Sequence, residues 1–382
     1  MSSLFDEVHD RTNTDSQKWQ KYEGKDILPM WVADMDFKAP EAILEALRKR
    51  VDHGIFGYAR PEKSAVEAVL EMLESNYGWK VEAEALVWLP GLVVGLNITS
   101  RAFAKSGESI LTTTPIYPPF LLGPRFQNRD VVKAPMVLEG RKWVFDWNAM
   151  EAAVQPHTKL FFFCNPHNPC SRVFERDELQ RVADFCEKHD LILCSDEIHC
   201  ELLLDGRTHT PISVVSKEAE QRIFTLISPS KTYNLAGLGC SLAIIPNQQL
   251  RHRFIAATRG VMAEVNNFGY VACEAAYRHG GQWRDELLAY LAENRDLVQS
   301  FVKEHMPLIG QYEHQATYLA WLDISKLGLK NPSSHFEEHG IGLSDGAFFD
   351  APDHLRLNFG CPRSILEEGL GRTKKAYDAA IS

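Results

Sequence analysis

The sequence predicts an α/β fold: a large domain with a mainly parallel sheet covered by helices, plus a smaller α+β domain. Three observations predict it. Short, continuous apolar runs alternate with amphipathic helical patterns, as in a parallel sheet covered on both faces. Polar residues capable of chemistry follow several of those runs immediately, which is where open α/β sheets place their ligands. From about residue 281 the alternation gives way to a long charged helix and a few short strands.

Taken in order, residues 40–51 (PEAILEALRKRV) read as an amphipathic helix with Pro40 at its start. Residues 64–77 read as a second, with Ser64 and Glu67 spaced as a capping box. The apolar run 85–89 is a strand, and Pro90-Gly91 leads into a helix over 92–104. Strands follow at 109–113, 131–135 and 159–164, then a helix at 176–188 and strands at 191–195, 222–228 and 241–245. A helix over 283–304, strands at 318–323 and 354–358, and two further helices complete the chain. The length of 382 residues suits about two domains. The expected division is a large domain over 49–280, an N-terminal arm over 1–48 that joins the small domain, and a small domain over 281–382.

Composition narrows the function. With 45% hydrophobic and 24% charged residues, the chain has enough apolar surface for a core, so disorder is excluded. The formal net charge of −10 argues against nucleic acid or an anionic membrane as partner, since either needs a basic footprint. No run reaches the ~20 apolar residues that span a bilayer, and the polar, early-acidic N-terminus is unlike a signal peptide. The eight cysteines include no C-x-x-C pair, and several sit in apolar runs. Reduced, buried thiols and a cytoplasmic setting are expected.

Four strand ends carry polar chemistry. After 159–164 comes Asn165-Pro166-His167-Asn168-Pro169; after 191–195 comes Asp196-Glu197-Ile198-His199; after 222–228 comes Pro229-Ser230-Lys231-Thr232; after 85–89 comes Pro90-Gly91 opening a helix. Each alone has an ordinary explanation: a turn, an N-cap, a solvated lysine. Together they match the needs of pyridoxal 5′-phosphate, which takes an amine for its aldehyde, a carboxylate against its pyridine nitrogen, a donor for its ring oxygen and a cradle for its phosphate. Lys231, Asp196, Asn168 and the helix start at Gly91, Leu92 and Val93 supply these in turn, and Ser228 and Ser230 add hydroxyls.

The order of these motifs resembles the fold-type I pyridoxal-phosphate enzymes, the aspartate aminotransferase superfamily. Within it the chain is most similar to the MalY/PatB group of cystathionine β-lyases. The resembling stretches run from MWVADMDF (30–37) and FGY (56–58) through TTPIYPPF (113–120), NPHNPCSRVF (165–174), SDEIH (195–199) and SPSKTYNLAGL (228–238) to LRLNFGCPR (355–363). The resemblance implies that the large domain binds the cofactor. It makes Lys231 the Schiff-base lysine, Asp196 the pyridinium partner and Asn168 a contact to the ring oxygen. It puts Tyr117 on the ring face and His199 near the ring oxygen, in contact or one layer behind. Arg356 would clamp the substrate carboxylate, with Asp34 nearby, and Tyr58 would reach the site of the other subunit of a homodimer. No metal is implied; Asp34 and Asp36 in a loop read as solvated carboxylates.

The implied activity is α,β-elimination of L-cystathionine or related L-cysteine S-conjugates to a thiol such as homocysteine, pyruvate and ammonia. An aminotransferase on the same fold is the alternative, because the two chemistries diverge only after the Cα proton leaves. A catalytically silent regulatory protein is a third reading, against which the intact lysine, aspartate and arginine argue. Three departures stand out. Cys170-Ser171 occupies a stretch where the family usually carries Gly, so the turn is expected to bend differently. Ala316 stands where Gly is common, and Gly239 where aminotransferases often carry Arg.

Overall fold

The fold, seen in a computed structural model that describes residues 4–382, is organised around two sheets. Near the N-terminus lies the short strand β1 (Leu28–Pro29). The main sheet comprises β2 (Leu86–Leu89), β3 (Ser109–Thr114), β4 (Asp130–Glu139), β5 (Lys142–Phe145), β6 (Thr158–Cys164), β7 (Ile192–Asp196), β8 (Ile223–Ile227) and β9 (Ser241–Ile244), in the order β2-β9-β8-β7-β6-β3-β4-β5. The strands β8, β7, β6, β3 and β4 run parallel. Every residue of β3 and β8 is buried, which is why these strands read as unbroken apolar or small-polar runs rather than alternating ones.

Two strands depart from a purely parallel sheet. β9 runs antiparallel to both β2 and β8. The link from β8 to β9 is taken up by the Lys231 loop and holds no crossover helix, which a parallel return would require. β5 is a hairpin partner of β4, with Glu139 opposite Lys142 across a turn in which Gly140 has φ 64°. The sequence reading missed this hairpin strand, and also the helices Gln248–Thr258 and Asn267–His279. The first of these helices is weakly amphipathic and largely exposed, so its apolar period is faint.

The expected capping box at Ser64 is absent. The helix runs Lys63–Tyr77 with Glu62 at its N-cap, so Ser64 lies inside the first turn. Such a box forms instead before Arg176–Lys188, where the Glu178 carboxylate accepts the Glu175 N–H at 2.8 Å.

The second sheet consists of β10 (Gly310–Gln311), β11 (Leu319–Asp323), β13 (Ser344–Asp345) and β14 (His354–Asn358), antiparallel in the order β10-β11-β14-β13. Between them β12 (Ile341–Gly342) pairs in parallel with β1, Leu28 opposite Ile341. One apolar cluster joins Phe5, Leu28, Met30 and Met35 to Leu291, Leu355 and Leu370. The N-terminal segment therefore shares a core with the C-terminal part. Within the N-terminal segment, Lys18 Nζ and Arg11 Nη1 each donate to Asp36 at 2.6 Å, and the Asp36 N–H crosses the joint to the Gly360 carbonyl at 2.9 Å. Burial alone would raise the Asp36 pKa, but Lys18 and Arg11 hold it below the usual carboxylate range. Among the described residues no helix is long and apolar enough to cross a membrane.

Candidate functional site

The ends of β6, β7 and β8 lie side by side, with Cys164 opposite Asp196 in the register. Three loops that are far apart in sequence therefore open onto one cavity of about 170 Å³, lined by Ala33, Gly91, Leu92, Val93, Tyr117, Cys164, Asn168, Asp196, His199, Ser230, Lys231 and Gly239 among others. This is the position at which a parallel sheet presents its ligands.

At the centre, Lys231 Nζ donates to the Ala33 carbonyl at 2.7 Å. Burial first, and the Arg356 charge second, push the amine pKa down to about 8; Asp34 and Asp196 oppose them. A buried lysine shifted this way holds a useful fraction of free amine near neutral pH. Asp196 accepts the Ile198 N–H at 3.1 Å. Burial pushes its carboxyl up to about 7, against the pull of that hydrogen bond and of Lys231. It is a buried carboxylate short of a cationic partner. His199 is also buried, and burial with the Lys231 and Arg356 charges brings its pKa down to about 3. The imidazole is neutral, and its Nδ1 is buried without a hydrogen-bond partner.

Arg356 sits on β14 opposite Trp321 and Ser344. Its Nη1 donates to Asn168 Oδ1 at 2.8 Å and its Nη2 to the Trp31 carbonyl at 3.1 Å. The guanidinium lies 4.7 Å from the centre of the Phe349 ring, and its Nε has no partner. The loop over 30–37 is gripped from two sides. Asn358 Nδ2 donates to the Val32 and Asp34 carbonyls at 2.6 and 2.7 Å, and Asn234 Nδ2 donates to the Met35 and Phe37 carbonyls at 2.9 Å each. One loop thus ties the lysine segment to the arginine strand.

At the other end the helix Leu92–Phe103 starts just after Gly91. Its first N–H groups and dipole form an anion site beside Ser230. Of the two hydroxyls expected to add donors, only Ser230 lines the cavity. Ser228 Oγ donates to the Cys240 carbonyl at 2.7 Å and accepts the Ser230 N–H at 3.1 Å, so it braces the loop instead. Gly239 has φ 57°, and a Cβ there would stand 2.9 Å from the Pro90 carbonyl oxygen. A side chain of any kind at this position would collide with the turn that starts the anion-binding helix.

The other expected residues divide. Tyr117 lines the cavity, and its backbone N–H donates to the Asn168 carbonyl at 3.2 Å. Asp34 lies outside the cavity lining; its Oδ2 pairs with Arg11 at 2.8 Å and its Oδ1 is buried without a partner. Tyr58 is fully exposed, away from this cavity, on a loop with exposed Ile55 and Phe56. The turn at Ser171 does not bend away: Ser171 adopts φ 52°, the left-handed conformation that favours Gly. Its Oγ meets Thr317 Oγ1 at 3.0 Å and donates to the Leu319 carbonyl at 2.8 Å. The sequence reading missed Ala33 and Tyr318. Ala33 acts through its carbonyl, which no side-chain pattern reveals, and Tyr318 resembles an ordinary strand aromatic.

These features fit pyridoxal phosphate. The cavity offers an amine of lowered proton affinity, a buried carboxylate lacking a cation, an unpartnered imidazole nitrogen and a helix N-terminus, the donor set that an aldehyde, a pyridine ring and a phosphate call for.

Comparison with known proteins agrees. The model of the aminotransferase class I and II family matches residues 25–372. The chain is similar to the cystathionine β-lyase PatB of Bacillus subtilis, with 37% identity covering 97% of this chain and 99% of that protein. Among solved structures it is similar to OvoB, with a TM-score of 0.95, 45% identity and coverage of 97% and 98%. It is also similar to the pyridoxal-phosphate-bound C–S lyase of Staphylococcus hominis, with a TM-score of 0.92, 31% identity and coverage of 98% of each chain.

Proposed function

Because the chain belongs to the class I and II aminotransferase family, we propose from its site that it is a pyridoxal-phosphate-dependent carbon–sulfur lyase acting on L-cystathionine or related L-cysteine S-conjugates. The observation that carries this is the meeting of the Lys231 amine and the Asp196 carboxylate on one cavity, with the Arg356 guanidinium just behind its lining, bonded to Asn168 at 2.8 Å. When bound, the cofactor supplies an aldehyde that joins covalently to amines and a ring that accepts electrons.

The residues divide the work. The helix start at Leu92 and Val93, with Ser230, holds the phosphate. Asp196 would keep a proton on the ring nitrogen, and that cation would relieve the carboxylate of its unpaired burial. Asn168 and His199 would meet the ring oxygen, and Tyr117 would cover the ring. Arg356 receives the substrate carboxylate through a bidentate fork, which a lysine cannot reproduce. Lys231 would hold the cofactor by its aldehyde, and its Nζ, when free, would be the base placed to take the proton from the substrate Cα. The C–S bond would break with its electrons on sulfur. Lys231 or Tyr58 would return a proton to the leaving thiolate, and the three-carbon fragment would end as pyruvate and ammonia after hydrolysis. General acid–base help of this kind contributes about 10²–10⁴-fold.

We place Tyr58 at the site of a second subunit. Its complete exposure beside Ile55 and Phe56 suits a residue that is covered only in a homodimer. The proposed division keeps cofactor binding in 49–280, with 281–382 and the 1–48 arm closing over the substrate. Eight buried, unpaired cysteines suit the reducing cytoplasm. The aminotransferase alternative is less well supported, since the curated relative described above is a lyase by name. Incubation with cystathionine tests the choice. Pyruvate and free thiol without an added keto acid are expected; a strict need for a keto-acid acceptor would overturn the lyase reading.

A further inference from the structure

Tyr318 shares an acceptor with Lys231. Its hydroxyl donates to the Ala33 carbonyl at 3.0 Å, the same oxygen that takes Lys231 Nζ at 2.7 Å. A carbonyl oxygen has two lone pairs, so these donors occupy both. We propose that Tyr318 is a positioning residue for Lys231: by holding one side of the Ala33 carbonyl, it fixes where the lysine amine points when that amine is free to move a proton. The inference rests on Lys231 being the amine that takes the Cα proton.

The placement of Tyr318 is built, not incidental. The side chain is 1% exposed, and it follows Thr317, whose φ is 70°. Thr317 Oγ1 accepts the Leu319 N–H at 3.2 Å and meets Ser171 Oγ, which also bonds the Leu319 carbonyl. A hydroxyl latch thus sets the backbone on both sides of Tyr318. On the opposite side, Asn358 and Asn234 pin the loop that carries Ala33. The carbonyl cannot swing to follow the lysine, so the lysine must follow the carbonyl.

The charged and titratable groups around the pair are Arg356, Asp34 and Asp196 on the Lys231 side, and Asp34, Arg356 and the edge-on His199 ring on the Tyr318 side. Burial, then Asp34, hold the phenol far above its ordinary pKa, so it stays a donor. Removing that donor frees the carbonyl for the lysine, which stabilises the ammonium over the amine.

Tyr318→Phe is the test, with two readouts. In the full chain without cofactor, competitive acetylation with acetic anhydride is followed across pH at the Lys231 peptide by mass spectrometry. The midpoint is expected to move upward by about half to one pH unit, each unit being one tenfold change in the amine fraction. In the loaded enzyme, kcat for thiol release from cystathionine is expected to fall about tenfold with KM within about twofold, the pattern of an interaction used in the transition state. A wild-type midpoint in the variant overturns the inference, whatever its kcat. Absence of pyruvate release by the wild-type enzyme would instead sink the lyase reading and leave the acetylation result standing. Should Y318F fail to give soluble protein, Ser171→Gly replaces it. Glycine keeps the left-handed backbone and removes the Ser171 half of the latch, its bonds to Thr317 and to the Leu319 carbonyl, so an upward midpoint supports the inference and an unmoved one overturns it.

Discussion

Arg356 and Asn168 are joined directly: Arg356 Nη1 donates at 2.8 Å to the Oδ1 of Asn168, a residue of the cavity lining. The residue assigned to the substrate carboxylate thus touches the residue assigned to the cofactor ring. The guanidinium keeps an unpartnered Nε and stacks on Phe349, so its plane is set before substrate arrives.

Replacing Arg356 with Lys should keep the charge and lose the fork. Loss of about 2–3 kcal/mol of charge-assisted hydrogen bonding raises KM for cystathionine by about 30–160-fold. Steady-state kinetics checks this; an unchanged KM would move the carboxylate elsewhere.

Lys231→Ala should abolish the visible absorbance of lysine-bound cofactor and lower turnover by more than about 10³-fold. Both are read from one preparation, by spectrum and thiol release.

Asp196 gives a pH dependence with a definite sign. Its carboxyl is pushed up to about 7 by burial, against about 3.9 in an unfolded chain. Raised in the folded state, it contributes stability that is full below about pH 4 and lost as pH rises through about 7. In the cofactor-free chain, Asp196→Asn should flatten the fall in Tm between those limits. Equal slopes in variant and parent would show that Asp196 does not carry the effect.

Gly239→Ala forces a Cβ to within 2.9 Å of the Pro90 oxygen at φ 57°. Strain of about 1–3 kcal/mol is expected. Because Pro90 precedes the anion-binding helix, cofactor affinity should fall together with Tm; a loss of Tm alone would separate the turn from the phosphate site.

Tyr58→Ala and Lys231→Ala, each inactive or weak alone, should complement when mixed and allowed to exchange subunits. A mixed dimer has one site with both residues intact, so random pairing restores about a quarter of the parental activity. No recovery would place Tyr58 outside the partner's site.

Much of this was legible along the chain. Lys231 and Asn168 follow buried parallel strands and Asp196 ends one, and such strands announce themselves as apolar runs with abrupt polar ends. Arg356 was legible only as part of a motif. Ser171 was misjudged because its side chain, bonded to Thr317 and Leu319, supports a backbone conformation usually left to glycine. Ser64 suggested a cap by spacing, but the helix had already begun at Lys63.

By itself, then, the sequence determined which groups are present and that three of them end adjacent strands, because burial on both faces of a sheet leaves a clear hydrophobic signature. Only the tertiary structure decided that Ala33, by its carbonyl, is the acceptor for Lys231, that Tyr318 shares it, and that Ser228 turns to Cys240. Those contacts join residues up to hundreds of positions apart through backbone atoms that every residue possesses. Composition and periodicity carry no record of which carbonyl is used; packing alone selects it.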